Sequence, residues 1–134
     1  MGSFLESEKK IQAEFKANSP YFSESARAEG VYKHKPRAFC LPVDQAEQNL
    51  VPEIRQSALA HFATHRIKWH DGQDGKPSNH LCDSQVCCVN FLFPYADKPT
   101  PLAEVLRPIF PEVQNMLPIE SGQYISFEWI GAQN

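Results

Sequence analysis

The sequence predicts an α+β protein that is mostly helical, with about four helices, a C-terminal amphipathic strand and at most a small sheet. Three observations carry this expectation. Apolar residues recur at helical spacing in four separate segments, a single late segment alternates apolar and polar residues, and Pro, Gly and Asn cluster between these stretches. Residues 4–17 form the first predicted helix, because Ser3 and Glu6 have the spacing of a capping box and Phe4, Ile11 and Phe15 fall close to one helical face. Asn18-Ser19-Pro20 ends it. A short helical turn is expected over Glu24-Ser25-Ala26-Arg27, and the stretch from Val31 to Pro42, interrupted by Pro36, is expected to be irregular or extended.

The second helix is placed at about 51–66, with Asn49 as its cap, Pro52 in its first turn and Ile54, Ala58, Phe62 and His65 along one face. Turn formers fill residues 71–79, which read as a surface loop. Val86 to Phe93 is apolar nearly all round, as expected of a helix buried in a core, with a short buried strand as the alternative reading. Thr100 and Pro101 have the character of a cap and first residue for a fourth helix bearing Leu102, Val105, Leu106 and Ile109. In residues 123–130, Ile125, Phe127 and Trp129 alternate with Tyr124, Ser126 and Glu128, the pattern of a strand with one buried face. Such a strand needs a partner, from the 31–42 stretch, from another chain or from sequence beyond Asn134, because lone edges leave backbone groups unpaired.

A chain of 134 residues with 42% hydrophobic and 11% aromatic side chains fits one packed domain without a disulfide or metal staple. That domain is expected to span 1–134, with an N-terminal helix region to residue 20, an irregular region over 21–49 and the remainder from residue 50 onward. The formal net charge of −3 argues against coating nucleic acid by bulk electrostatics, yet Arg27, Lys33, Lys35 and Arg37 face only Glu29 within their stretch. No apolar run is long enough to span a bilayer, Glu6 and Glu8 interrupt any secretory pattern, and Glu6 also stands where a myristoylation motif needs Ser or Thr. A cytoplasmic protein without membrane contact is expected. The vicinal Cys87-Cys88 pair suits reduced thiols better than a disulfide framework, and Cys40 and Cys82 are read the same way.

Four chemistries can be weighed on these residues. His61 and His65, four apart on a predicted helix, with His80 and Cys82 are candidate zinc ligands, although their spacing matches no named zinc module and buried thiols are the plainer reading. His70 or His80 beside Cys82 offers a nucleophile and base in principle, but nothing marks a thiol of low pKa. Metal-dependent phosphodiester chemistry needs converging carboxylates, often with a lysine, whereas Glu128 is followed two positions later by Ile130. Tyr32, Lys33, Lys35 and Arg37 form a basic and aromatic stretch suited to phosphates or base stacking, or simply to a solvated loop.

The run Leu81-Cys82-Asp83-Ser84-Gln85-Val86-Cys87-Cys88-Val89-Asn90-Phe91-Leu92-Phe93-Pro94 resembles the S-S-Q-x-x-x-x-N-(F/L)-(F/L) segment of a bacterial family of restriction-type endonucleases in the PD-(D/E)XK superfamily. Ser84, Gln85 and Asn90 match it, and Asp83 stands where the pattern has Ser. A His-rich helix and glycine loop precede the run, and Gly122 to Gly131 is similar to the family's F-E-(W/Y)-x-G strand, so the resemblance covers about residues 50–134. It implies a nuclease-like module lying before the acidic and E-x-K residues of that superfamily. No catalytic residue carries over, and Mg²⁺ is implied only for a core that follows; no other cofactor is expected. The implied role is binding of a protein or nucleic acid rather than cleavage. The alternatives are a stand-alone inhibitor from a phage or mobile element that blocks a host defence complex, and a small zinc-stabilised domain.

Overall fold

A computed structural model describes residues 2–120 and 122–128. Its helices are α1 (Gly2–Asn18), α2 (Arg55–Thr64), α3 (Ser84–Leu92) and α4 (Pro99–Leu106), with 3₁₀ turns at Ser25–Arg27, Val43–Asn49 and Phe93–Tyr95. The sheet is one hairpin, β1 (Gly30–Tyr32) against β2 (Lys35–Arg37), in antiparallel register with Val31 opposite Pro36. The molecule is therefore α+β and mostly helical, with a small sheet, as the sequence predicts. No helix among the described residues is long and apolar enough to cross a membrane.

The sheet lies where an extended stretch was expected but pairs within itself. Residues 122–128 make an isolated bridge from Gln123 to Glu120 and then bends and turns, so the described part of the expected C-terminal strand is not in the sheet. Residues 129 and 130 lie outside the described residues. The alternation still identified an inward face, since Phe127 is buried and Ile125 packs against the core. Backbone form and side-chain burial are separable here, because one inward residue in two arises from a succession of turns as well as from a pleat.

The main core gathers Leu50, Ile54, Ala58, Phe62, Trp69, Val86, Val89 and Phe127. Phe62 is its centre, stacked on Trp69 with ring centroids 3.8 Å apart. A second cluster, Phe22, Ala26, Leu41 and Leu81, lies under the hairpin region. Backbone bonds lace that region together: Gly30 N–H donates to Cys40 O at 3.0 Å, Leu41 N–H to Asn79 O at 2.8 Å and Leu81 N–H to Phe39 O at 3.1 Å. Gly30 is required here, because an added Cβ would run into the Leu41 carbonyl.

Several local expectations are corrected. Ser3 is already helical and Glu6 pairs with Lys9 at 2.9 Å, so no capping box forms. The buried residue of α1 is Lys16, whose ammonium donates to Ala28 O and Cys40 O at 2.7 and 2.8 Å, while Phe4, Ile11 and Phe15 remain exposed. Asn49 does not cap α2, which begins at Arg55 after Ile54, because its amide donates instead to Ser78 O and His80 O. The helical reading of 86–93 is the correct one for α3, but only Gln85, Val86 and Val89 are buried, and Cys87, Cys88 and Phe91 face outward. Of the four thiols, only Cys40 is fully buried. In α4 the cap is Lys98 and not Thr100.

Candidate nucleic-acid interface

The hairpin turn is formed by Lys33 (φ 49°) and His34 (φ 65°), the left-handed pair that lets two short strands twist together. Glycine or asparagine is the usual occupant, so a Cβ is crowded at both positions. Within the hairpin, Tyr32 is opposite Lys35, and Gly30 is opposite Arg37. Lys33 and Lys35 are exposed and Arg37 is half-buried. Lys33 Nζ lies 5.5 Å from the centroid of the Tyr32 ring, within reach of its π face. The Tyr32 ring also makes an edge-on contact with His80, with centroids 4.9 Å apart.

Tyr32 also carries the link to the rest of the surface. Its hydroxyl donates to Asp71 Oδ2 at 3.3 Å. Burial, and then the neighbouring Asp71 carboxylate, push the phenol above its ordinary pKa and keep it a donor. Asp71 itself has φ 54°, and Asp74 (φ 52°) and Gly75 (φ 72°) follow in the same loop. Gly72 lies against the Lys76 carbonyl and Trp69 Cβ, leaving no room for a side chain. The 71–79 segment is not wholly a surface loop, because Pro77, Ser78 and Asn79 are buried. Asn79 holds the two sides together: its Nδ2 donates to Val31 O at 3.0 Å and to Leu41 O at 2.8 Å. Between hairpin and loop is a cleft of about 300 Å³.

Gln85 and Asn90, two of the three positions on which the sequence resemblance rests, hold loops. Gln85 Oε1 accepts from His70 N at 2.7 Å, and its Nε2 donates to Lys68 O at 3.0 Å, so α3 holds the segment that leads into Asp71. The same Nε2 is 3.4 Å from Glu128 Oε1, and His70 Nε2 is also 3.4 Å from that oxygen. Asn90 accepts from Val51 N at 3.0 Å and donates to Asn49 O at 2.9 Å. Ser84 is exposed at the start of α3. Asp83 caps that helix, accepting from Val86 N at 2.9 Å, which is the job a Ser at this position would also do. Glu128 is exposed and has φ 55°, in a turn rather than a strand.

The His and Cys candidates separate into two pairs. His61 and His65 stack with centroids 4.1 Å apart, and His65 Nδ1 is 3.0 Å from His61 O. His80 contacts Tyr32 and Phe39, and its Nδ1 accepts from Cys82 N at 3.0 Å. Among the described residues no three His, Cys, Asp or Glu side chains stand together in a way that could hold a metal ion. Nor is Cys82 activated by His80, since the ring nitrogen receives a backbone N–H and burial pushes the thiol pKa up. Burial likewise pushes Cys40 up to about 11, and it lowers His61 and His80 below the ordinary histidine value.

The structure therefore brings together three features that the sequence separates by up to 96 positions: the basic hairpin around Tyr32, the Asp71 loop, and Gln85 with Glu128. Asp71 and Asn79 were not singled out from the sequence. Their signal was the density of turn formers, which marks a loop but not the partners of its side chains. No curated protein and no solved structure matches the chain. A family model does, over residues 9–134, reaching well before the segment in which the resemblance is visible by eye. The chain thus belongs to the family described as "Restriction Endonuclease associating with ARP".

Proposed function

We propose that this chain is a PD-(D/E)XK-type module of the restriction-endonuclease family that binds nucleic acid without cutting it. The supporting observation is the hairpin: Lys33 and Lys35 are exposed beside a Tyr32 ring that is tethered through Asp71 to the loop held by Gln85, a position of the family pattern. Cations on a braced turn can neutralise phosphates without first being ordered, which reduces the entropy lost on binding. A stretch of this kind binds locally even though the net charge is −3. Residues 1–134 are read as one domain of the cytoplasm; the single-domain reading is supported by Asn49, next to Leu50 of the main core, whose amide donates to Ser78 O and to His80 O beside Leu81 of the second cluster.

The test is fluorescence anisotropy with labelled DNA across a salt series, using the chain and its Lys33→Glu, Lys35→Glu, Arg37→Glu triple variant. Each phosphate contact contributes about −0.9 to the slope of log K against log salt on duplex DNA, so the variant's slope is expected to flatten by about two or three. Unchanged affinity and slope would reject the hairpin as the contact surface. Incubation with Mg²⁺ or Mn²⁺ is expected to leave DNA intact, and cleavage that disappears in Glu128→Gln would overturn the reading of a non-cutting module.

A second reading, protein binding, has its own observation. An apolar groove of about 380 Å³ runs between α1 and α3, lined by Phe15, Tyr21, Phe22, Val86 and Phe91, of which Phe15, Tyr21 and Phe91 are more than 40% exposed. Such a surface suits the association named in the family description, or an inhibitor from a phage or mobile element acting on a host defence complex. Phe15→Lys with Phe91→Lys would abolish partner capture on this reading and leave DNA affinity unaltered.

A further inference from the structure

We propose that the cleft between the hairpin and the 71–79 loop receives one unpaired nucleobase bearing an exocyclic amine, with an adjoining phosphate on Lys33. This rests on the nucleic-acid reading above and deepens it by naming the ligand. The cleft, about 300 Å³, is lined by Val31, Tyr32, Lys33, Val43, Asp71 and Asn79 among others. Its volume lies at the small end of the range for ligand sites and suits a single flat ring system better than a peptide or a duplex. Val31, Val43 and Pro77 supply apolar wall, and the braced Tyr32 ring supplies an aromatic edge.

The polar groups of the cleft select the ligand. Asp71 commits Oδ2 to the Tyr32 hydroxyl, which leaves its second carboxylate oxygen as an acceptor. Asn79 is only 8% exposed, and both recorded bonds of its amide run from Nδ2. Its Oδ1 accepts no hydrogen bond from any described residue, and Asn79 is one of the residues that line the cleft. Asp71 and Asn79, both in the lining of the cleft, thus each carry a side-chain oxygen that no described residue engages, and among the described residues of the lining the one cation is Lys33, in the turn beside Tyr32. An exocyclic amine satisfies such a pair, and cytosine, adenine and guanine carry one whereas thymine does not. In a duplex that amine is paired and its ring is stacked, so the base must be unpaired to enter.

Backbone strain points to the same place. Of the six described non-glycine residues with positive φ, Lys33, His34, Asp71 and Asp74 lie in the two turns that border this cleft. Left-handed backbone at side-chain-bearing residues is disfavoured and is characteristically retained where a site depends on it. Here it turns Lys33 outward at the hairpin tip and sets Asp71 opposite Tyr32.

The experiment measures anisotropy of labelled oligo(dC), oligo(dA), oligo(dT) and a mixed duplex at low salt, in EDTA, with the full chain. Oligo(dC) and oligo(dA) are expected to bind about tenfold tighter than oligo(dT), the usual scale for a well-placed base contact. Asp71→Asn, at an exposed position, replaces one acceptor oxygen by a donor and is expected to narrow or invert that preference. The triple cation variant is expected to weaken all oligonucleotides together and keep their order. Equal binding of oligo(dT) and oligo(dC), duplex binding as tight as oligo(dC), or an undiminished preference in a folded Asp71→Asn would overturn the base site while leaving nucleic-acid binding standing. No binding of any DNA would overturn both.

Discussion

The cluster around α2 and α3 and the cluster beneath the hairpin are held by different chemistry. In the first, Phe62 stacks on Trp69 and meets Phe127 at 5.9 Å, so removal of aromatic surface from water is the dominant stabilising term. In the second, four buried apolar residues are surrounded by Lys16, Asn49 and Asn79, each donating two hydrogen bonds to backbone carbonyls. A packed region tolerates small displacements of its neighbours only at the cost of cavities, whereas an amide clamp fixes backbone position directly. The candidate site lies on the clamped side. That is what a binding cleft made of loops requires, since its walls have no regular structure to hold them.

The largest expected effect tests the packed half. Phe62→Ala should lower unfolding stability by about 3–5 kcal/mol through lost burial and a residual cavity, read as a shift in urea midpoint with the slope unchanged. A loss below about 1 kcal/mol would mean that packing does not dominate there. Next comes the clamped half. Asn79→Ala strips the donors from Val31 O and Leu41 O and should cost about 1–3 kcal/mol. Amide exchange at Gly30 and Leu41 should quicken more than exchange within α2; uniform quickening would erase the distinction between the two halves.

A smaller effect is expected at the joint between them. Asp83→Ala should lose about 1 kcal/mol of helix capping, and Asp83→Ser should recover most of it. Failure of Ser to recover would show that the Asp charge, and not only its acceptor, is needed. The smallest effect is the pH response. His61 contacts Phe127 of the packed half, and His80 contacts Tyr32 of the clamped half. Both have folded pKa values below the ordinary 6.5, chiefly through burial, with His65 opposing His61 protonation, and with Asp83 and Asp71 partly offsetting at His80. The unfolded chain then binds more protons between the folded values and 6.5, so stability is fully present above 6.5 and declines as pH falls through the folded values. His61→Gln should flatten part of this decline in urea midpoints, and an unchanged slope would assign the response elsewhere.

Much of the local structure was legible. The first helix, the turn at Ser25–Arg27, the loop of turn formers and the helix ending before Pro94 all follow from spacing and from Pro, Gly and Asx chemistry. The caps were less so. Asn49 looks like a helix cap in one dimension, yet its amide is claimed by carbonyls 29 and 31 residues away. Asp83, where the resembled segment has Ser, caps α3. The basic stretch Tyr32–Arg37 reads as a candidate surface but not as a hairpin, because its turn depends on two left-handed residues, Lys33 and His34, whose types do not advertise that conformation.

By itself the sequence determined where the chain can be helical and that Ile125 and Phe127 turn toward the core, because these depend on neighbours within a few positions. Tertiary structure decided the rest. It left the apolar stripe of α1 exposed and buried Lys16, and it built the sheet from 30–37 rather than from the C-terminal alternation. It also joined Tyr32 to Asp71 and Asn79 to Val31, across 39 and 48 residues. The physical reason is that periodicity reports the geometry of a local backbone, while burial and hydrogen-bond partnership depend on what distant segments bring to the same place.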